Sequence, residues 1–221
     1  MKVLLINGSP RKNGNTHLAL SEVAKALNEN GGETEIISIG TKDVQGCIII
    51  ICFCIFMQLI HRTMQVCNRC TELGRCIFKD ELYNNIRQKL EEGIDGLVVG
   101  SPTYYAGPNG SLCALLDRLF YSSSELMEYK PATAIAVCRR GGASATLDRL
   151  NKYFTINHMP VVSSQYWNII HGMMPGDVLQ DAEGLQTMRM LGRNMAWLLK
   201  NTADGQKHPE AEPLVRTNFI R

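Results

Sequence analysis

The chain has little net charge and no run of basic residues. It carries 23 lysines and arginines against 21 aspartates and glutamates, a formal charge of +2, which is too small to indicate a nucleic-acid-binding surface. It shows no internal repeat, and Met1 leads directly into a predicted strand rather than a secretory signal, so we expect a cytoplasmic protein. The almost wholly apolar run from Ile48 to Ile60 has thirteen residues, fewer than the roughly 20 that span a bilayer. We therefore expect neither nucleic-acid nor membrane partners.

Two common nucleotide-binding fingerprints are also missing. The strand predicted at Val3–Ile6 runs into the polar loop N-G-S-P-R-K-N-G-N-T and then into a helix. Five residues separate Gly8 from Gly14, and Asn15 stands where the loop G-x-x-x-x-G-K-[ST] has lysine; G-x-G-x-x-G is absent as well. Main-chain N–H groups at a helix N-terminus, with hydroxyls and an arginine nearby, can bind an anion. The loop therefore suits the single phosphate of a mononucleotide, although an ordinary strand-to-helix turn has the same pattern.

Short apolar strands alternate with helices along the chain. The predicted strands are Val3–Ile6, Glu33–Ile39, Leu97–Gly100, Ala132–Val137 and Val161–Trp167. This alternation predicts an α/β fold with a parallel sheet covered on both faces. We predict one domain over residues 1–200, with an anomalous apolar insertion at 49–66 and a C-terminal tail at 201–221. In the strand order 2-1-3-4-5, the carboxyl ends of strands one, three and four are adjacent, and ligands of such sheets bind there.

Three loops should therefore meet in one crevice. The first supplies the phosphate site, the loop S-P-T-Y-Y-A-G supplies two aromatic side chains, and the loop C-R-R-G-G supplies glycines and arginines. A planar redox-active ring fits between such groups, because N–H donors or an arginine stabilise the negative charge of its reduced form. Tyr104 and Tyr105 could equally be rim aromatics, and Arg139 and Arg140 a solvated surface. Their combined placement favours a mononucleotide flavin.

These loops resemble the FMN-contacting loops of flavodoxin-like NAD(P)H-dependent FMN reductases. The runs S-S-Q-Y-W-N-I-I-H-G and D-A-E-G-L-Q-T-M-R-M-L-G-R-N-M-A-W-L-L-K resemble the bacterial branch related to iron–sulfur flavoproteins. The resemblance implies a flavodoxin-like three-layer sandwich with a five-stranded parallel sheet in the order 2-1-3-4-5, a bound FMN, and NAD(P)H as co-substrate. The cofactor-binding residues that it implies are Ser9, Arg11, Asn13, Asn15, Thr16, Pro102, Thr103, Tyr104, Tyr105, Gly107, Arg140 and Gly141.

The resemblance also implies onward electron transfer to a quinone, flavin or protein acceptor. We predict no catalytic side chain, because the nicotinamide delivers hydride to the flavin and the protein supplies positioning and electrostatics. The alternative is a non-catalytic FMN electron carrier; such carriers are typically acidic, whereas this chain has a pI near 8.1. We expect a homo-oligomer, from the resemblance, the Tyr104–Tyr105 loop and an apolar segment that a monomer could hardly solvate.

The cysteines carry a second possible redox centre. Eight cysteines in such a chain favour free thiols or metal ligation over disulfides. If residues 49–66 were replaced by one residue, the cysteines would form C-x2-C-x2-C-x5-C, which resembles the compact motif of iron–sulfur flavoproteins. The [4Fe–4S] ligands that this resemblance implies are Cys47, Cys67, Cys70 and Cys76. Free thiols or a zinc site remain alternatives, since C-x2-C is equally a zinc half-site.

The apolar run between Cys47 and Cys67 is the main departure from that motif. Nineteen residues separate these two cysteines, and Cys52 or Cys54 could compete as ligands. The run is too apolar for a surface loop. It is either buried in a subunit interface or an aberrant insertion, and we favour the second interpretation.

Overall fold

The computed structural model describes residues 1–48, 67, 69–202, 208–210, 212–213 and 215. The predicted insertion at 49–66 lies outside the described residues. The elements in chain order are β1 (Lys2–Asn7), α1 (Asn15–Glu29), β2 (Glu33–Ser38), α2 (Arg69–Leu73), α3 (Glu81–Glu91), β3 (Gly96–Tyr104), β4 (Gly107–Pro108), α4 (Gly110–Ser122), β5 (Ala132–Cys138), α5 (Ala143–Thr155), β6 (Ile169–His171) and α6 (Ala182–Thr202). Short 3-10 turns lie at Ser124–Leu126 and Asp177–Gln180.

The strands form one sheet in the order β2-β1-β3-β5-β6, and all neighbours in this path are parallel. The two-residue strand β4 pairs antiparallel with the end of β3. Since β4 stands apart from the parallel path, the path has the predicted order 2-1-3-4-5. The α/β fold with a parallel sheet is therefore confirmed, and the ends of β1, β3 and β5 are adjacent.

The sheet is buried on both faces. Along β1, Leu4 and Ile6 pack with α3, α4 and α5, whereas Val3 and Leu5 pack with α1 and α6. Successive side chains of a strand point to opposite faces, so a strand covered by helices on both faces is apolar throughout. This double burial fixes the positions at which the strands end and the loops begin.

The predicted fifth strand, Val161–Trp167, is wrong. Val161 makes only an isolated bridge to Ala132, and the strand of the sheet is β6, which pairs with Ala136–Cys138. Side chains build a turn between the two: the Ser164 hydroxyl donates to Asn168 Oδ1 at 2.8 Å. The Asn168 amide in turn donates to Thr133 Oγ1 at 2.9 Å. These bonds replace strand pairing in this segment.

None of the helices in the described part of the chain is long and apolar enough to cross a bilayer.

Candidate functional site

The loop after β1 is shaped by Asn7, a buried residue that the sequence analysis did not single out. Its Nδ2 donates to Ser38 Oγ at 3.1 Å and to the Lys12 carbonyl at 3.4 Å. Its Oδ1 accepts from the Ser9 N–H at 3.1 Å. One side chain thus holds the start and middle of the loop and ties both to the end of β2.

Gly8 brings this loop into contact with β3. Its N–H donates to the Gly100 carbonyl at 2.8 Å. A Cβ at position 8 would lie 2.4 Å from Leu112 Cδ2 and 2.7 Å from the Gly100 carbonyl oxygen. No larger residue fits without displacing one of these groups. The contact sets the spacing between the first two loops of the site.

The N-terminus of α1 presents open donors. Gly14 precedes the helix without a side-chain cap, and the first turn contains no acidic residue. Leu18 N–H bonds the Gly14 carbonyl, which leaves the N–H groups of residues 15–17 without a partner among the described residues. Thr16 is buried and lies with its methyl group against Gly100, and its hydroxyl has no partner within the described chain. Unpaired donors at a helix N-terminus favour an anion.

A cavity of about 240 Å³, the inner cavity, lies where these loops meet. Its lining residues come from the ends of β1, β3, β5 and β6. They are Ser9, Arg11, Asn15, Thr16, Pro102, Thr103, Tyr104, Val137, Cys138, Arg139, Gly172 and Met173. The structure therefore brings together predicted site residues from the first two loops.

The other predicted cofactor residues lie outside the inner cavity lining. Asn13 is exposed, and Gly107 belongs to β4. Tyr105 is fully exposed at the tip of the β3–β4 hairpin, where Tyr105 and Ala106 have φ of 50° and 57°. Two positive φ values match a tight two-residue hairpin turn. The turn directs the chain so that Tyr104 lines the inner cavity and Tyr105 does not.

Arg140 and Gly141 line a neighbouring cavity of about 320 Å³, the outer cavity, between the first turns of α5 and α6. Arg139, which the sequence places in the same loop but which is not among the cofactor-binding residues implied by the resemblance, lines the inner cavity instead. The third loop therefore lines both cavities, and the change from the inner to the outer cavity falls between Arg139 and Arg140.

The second and third loops are packed on each other. Gly142 has φ of +85°, and a Cβ there would lie 2.8 Å from Ala106 Cα. The Thr146 hydroxyl donates to Thr103 Oγ1 at 3.2 Å, which links α5 to the end of β3. A glycine in this left-handed conformation permits the close approach.

A fourth segment, residues 172–176, was missed by the sequence analysis. The Asn15 side chain donates to the Met174 carbonyl at 2.9 Å and accepts from the Gly176 N–H at 2.8 Å. Both ends of this amide are thus engaged by protein, which leaves the main-chain N–H of Asn15 for a ligand. The fifth strand was predicted at Val161–Trp167, whereas the strand in the structure is Ile169–His171. The loop after the true strand, which contains residues 172–176, was therefore not recognised as part of the site.

The four predicted cluster cysteines line one small hollow, the cysteine hollow, together with Arg118 and apolar residues. Its thiols belong to Cys47, Cys67, Cys70 and Cys76. All four are free. Burial and the neighbouring thiols raise the pKa of Cys70, although a main-chain hydrogen bond acts in the opposite direction. Within the described ranges, no group of three or more histidine, cysteine or acidic side chains is arranged to hold a single metal ion.

Arg118 of α4 is buried behind these thiols. Its Nε donates to Cys76 Sγ at 3.3 Å, and its two Nη atoms donate to the carbonyls of Gln45 at 3.2 Å and Phe78 at 3.1 Å. Nη1 also pairs with Asp80 Oδ2 at 2.6 Å, and the guanidinium lies 4.6 Å from the centre of the Tyr83 ring. The guanidinium therefore holds the chain on both sides of residues 49–66.

Comparisons with known proteins agree with this geometry. The family described as NADPH-dependent FMN reductase matches residues 1–173. Two iron-sulfur flavoproteins of Methanocaldococcus jannaschii are similar: one is 34% identical, covering 90% of this chain and 98% of its own. The other is 30% identical, covering 86% of this chain and 92% of its own.

Solved structures show the same fold at low sequence identity. RosB with a bound intermediate, 8-demethyl-8-formylriboflavin-5'-phosphate, has a TM-score of 0.67 at 14% identity, covering 100% of this chain and 92% of its own. A flavodoxin from the domain Archaea has a TM-score of 0.55 at 15% identity, covering 90% of this chain and 99% of its own.

Proposed function

We propose that this chain, which belongs to the NADPH-dependent FMN reductase family, binds FMN in the inner cavity and uses it to transfer electrons from NAD(P)H to a quinone, flavin or protein acceptor. The observation that carries this proposal is the meeting of the loops after β1, β3 and β5 around the open N-terminus of α1. That position is where parallel α/β sheets bind their ligands.

The donors of the first loop fit a phosphate monoester. The main-chain N–H groups at the start of α1 and the Thr16 hydroxyl have no partner in the described part of the protein, and Arg11 adds positive charge at the rim. Ser9 also lines the cavity. Its Oγ accepts a hydrogen bond from the Arg11 N–H at 3.2 Å, which leaves the hydroxyl hydrogen to donate to a ligand. A dianionic phosphate would supply acceptors for these groups.

The second and third loops provide the walls for a flat ring. Pro102, Thr103 and Tyr104 lie on the β3 side, and Cys138 and Arg139 lie on the β5 side. When bound, FMN would accept hydride from the nicotinamide and pass the electrons on to an acceptor. The chain positions the ring and places the Arg139 charge beside the cavity. Hydride transfer between nicotinamide and flavin requires no side-chain acid or base.

Reconstitution and turnover test this proposal directly. The purified protein, incubated with FMN and freed of excess by gel filtration, should carry yellow flavin and oxidise NADH or NADPH in the presence of a dye acceptor. Protein that takes up no FMN would refute the binding step. Protein that binds FMN but does not oxidise either nucleotide would refute the reductase activity.

A second candidate function is electron carriage through FMN and an iron–sulfur cluster. The convergence of four thiols in the cysteine hollow favours it, and so do the relatives named iron-sulfur flavoprotein. Thiolates are the usual ligands of such clusters, and a cluster supplies one-electron transfer. Cys47, Cys67, Cys70 and Cys76 would hold it, and Arg118 would donate to the Cys76 sulfur.

Metal analysis separates this candidate from its alternatives. Protein purified anaerobically should contain about four irons and four sulfides per chain if the four thiols hold a [4Fe–4S] cluster. Iron well below one per chain would refute the cluster and leave the FMN proposal standing. Stoichiometric zinc in the same sample would instead identify a zinc site. A protein with iron but without NAD(P)H oxidation would be a carrier rather than a reductase.

A further inference from the structure

The outer cavity is separated from the inner cavity by the ends of two adjacent strands. Arg139 and Gly172 line the inner cavity, whereas their chain neighbours Arg140 and His171 line the outer one. The Gly172 N–H donates to the Cys138 carbonyl at 2.9 Å, so the two segments are joined at this wall. A ligand that reaches over the wall would contact both cavities.

One side of the outer cavity is formed by the start of α5 and Arg140. α5, which has thirteen residues, begins after Gly142 without a side-chain cap and has no acidic residue in its first turn. The Thr146 N–H bonds the Gly142 carbonyl, so the N–H groups of residues 143–145 have no partner among the described residues. Arg140 lies beside them, is exposed, and forms no ion pair in the described part of the chain. These groups lie next to the wall that separates the cavities.

A second side presents aromatic rings to a ligand. Tyr166 and Trp167 line the outer cavity with 60% and 64% of their surface exposed. Their ring centres are 5.3 Å apart and the rings are tilted by 52°. A planar heterocycle that stacks on either ring would cover apolar surface that the protein itself leaves in water.

The wall formed by α6 provides polar groups. Thr187 lines the cavity, is only 2% exposed, and has no hydrogen-bond partner within the described ranges. Its hydroxyl is therefore free to pair with a ligand in the cavity. Asp181 is engaged by the N–H groups of His171 and Gly184, so Glu183 is the carboxylate that remains to accept ligand hydroxyls.

We infer that the outer cavity binds the adenosine diphosphate half of the reduced nicotinamide dinucleotide. The diphosphate lies at the start of α5 beside Arg140, the adenine stacks on the Tyr166–Trp167 pair, and the ribose hydroxyls meet the α6 wall. The volume of about 320 Å³ is within the range of small-molecule sites. The two carboxylates disfavour a bare anion but suit a ligand whose charge is confined to one end. This inference rests on the proposed function, because the outer cavity would bind the dinucleotide that donates the hydride.

Tryptophan fluorescence can report this site alone, because the chain has only two tryptophans. In a Trp197→Phe variant, Trp167 is the sole tryptophan; in a Trp167→Phe variant, Trp197 is. Trp197 is 66% exposed on α6 and is not part of the cavity lining, so it is a matched control. ADP-ribose, which carries no nicotinamide, is titrated into both variants in the FMN-loaded and FMN-free states.

We expect saturable quenching of Trp167 by ADP-ribose and an unchanged signal from Trp197. Arg140→Ala should weaken binding about tenfold, because it removes a charge-assisted contact to phosphate. Arg193→Ala, a matched change at an exposed arginine of α6 away from the cavity, should leave it unchanged.

Three results would overturn the inference: no quenching of Trp167, equal quenching by inorganic phosphate, or binding unaffected by Arg140→Ala. ADP-ribose binding is scored without hydride transfer, so failure of the site and failure of the proposed function are distinguishable. If the protein oxidises NAD(P)H but ADP-ribose does not quench the fluorescence of Trp167, only this site is refuted. Protein that binds ADP-ribose but oxidises neither nucleotide refutes only the reductase activity.

Discussion

Substitution of Gly8 by alanine tests how the inner cavity is held open. The added methyl group would lie 2.4 Å from Leu112 Cδ2 and 2.7 Å from the Gly100 carbonyl oxygen. Leu112 is fully buried in the core, so it can move only at the expense of its own packing. Overpacking of this kind costs about 1–3 kcal/mol, and loss of the Gly8–Gly100 hydrogen bond costs about 0.5–1.5 kcal/mol. We therefore expect a loss of about 2–4 kcal/mol in the free energy of unfolding.

Urea denaturation followed by circular dichroism measures that loss, and FMN titration measures the accompanying change in the phosphate loop. Gly110→Ala is the matched control: it adds the same methyl group in the first turn of α4, where no atom lies within 4 Å. Alanine is also the better helix former, so the control should be as stable as the parent or slightly more stable. If Gly8→Ala and Gly110→Ala unfold at the same urea concentration and bind FMN equally well, the close contact between the first two loops does not shape the site.

Three further predictions follow from the site, the second cavity and the surface. Ser9→Ala combined with Thr16→Ala should weaken FMN binding about tenfold, because each hydroxyl bond is worth about 0.5–1.5 kcal/mol; an unchanged Kd by fluorescence titration would exclude both hydroxyls from the phosphate site. Partial burial raises the pKa of Asp181, but hydrogen bonds from the Gly184 and His171 N–H groups and the His171 ring outweigh it, so the pKa lies below its ordinary value. The stability that this carboxylate contributes is present above its unfolded pKa and is lost as pH falls through the folded value. Asp181→Ala should therefore cost about 1 kcal/mol at pH 7, and this cost should shrink as pH falls into the acid range below the ordinary carboxyl pKa; urea titrations that give the same cost at every pH would contradict this linkage. Light scattering should give a mass well above the 24.6 kDa of one chain, as expected for a homo-oligomer with exposed Tyr105; a monomeric mass at micromolar concentration would refute it.

The sequence predicted the sheet because its signal is local and redundant. Every residue of β1 from Val3 to Asn7 is buried, so a continuous apolar run marks a central parallel strand. The predicted fifth strand failed because Val161 and Val162 carry the same β-branched signal as Ile169 and Ile170. The first pair makes only a bridge to Ala132, and side-chain bonds around Asn168 hold the turn that separates it from β6. Such bonds depend on Thr133, a residue of another strand, and no local pattern records them.

The third loop shows a different limit of the sequence. Arg139 and Arg140 lie in the bend that follows β5, where strand alternation does not decide which of two neighbouring side chains meets a ligand. The arginine pair could be placed at the sheet edge from its position after β5, but not assigned to one cavity. The structure gives Arg139 to the inner cavity and Arg140 to the outer one. Likewise, the sequence places Asn15 at the end of the loop that follows β1, but its bonds to Met174 and Gly176 depend on a segment far along the chain.

The cysteine hollow shows how a cluster site would tolerate the predicted insertion at residues 49–66. A longer connection between two ligands costs little closure entropy, since each doubling of loop length adds only about 0.6 kcal/mol. What the site requires is that both ends of the connection be held, and Arg118 does this from α4: it binds the Gln45 carbonyl before the insertion and Cys76 and Phe78 after it. Its charge is balanced by Asp80, which also caps α3 by accepting from the Tyr83 N–H. The position of the Cys76 thiol is thus set by the core beneath it, which lies outside residues 49–66.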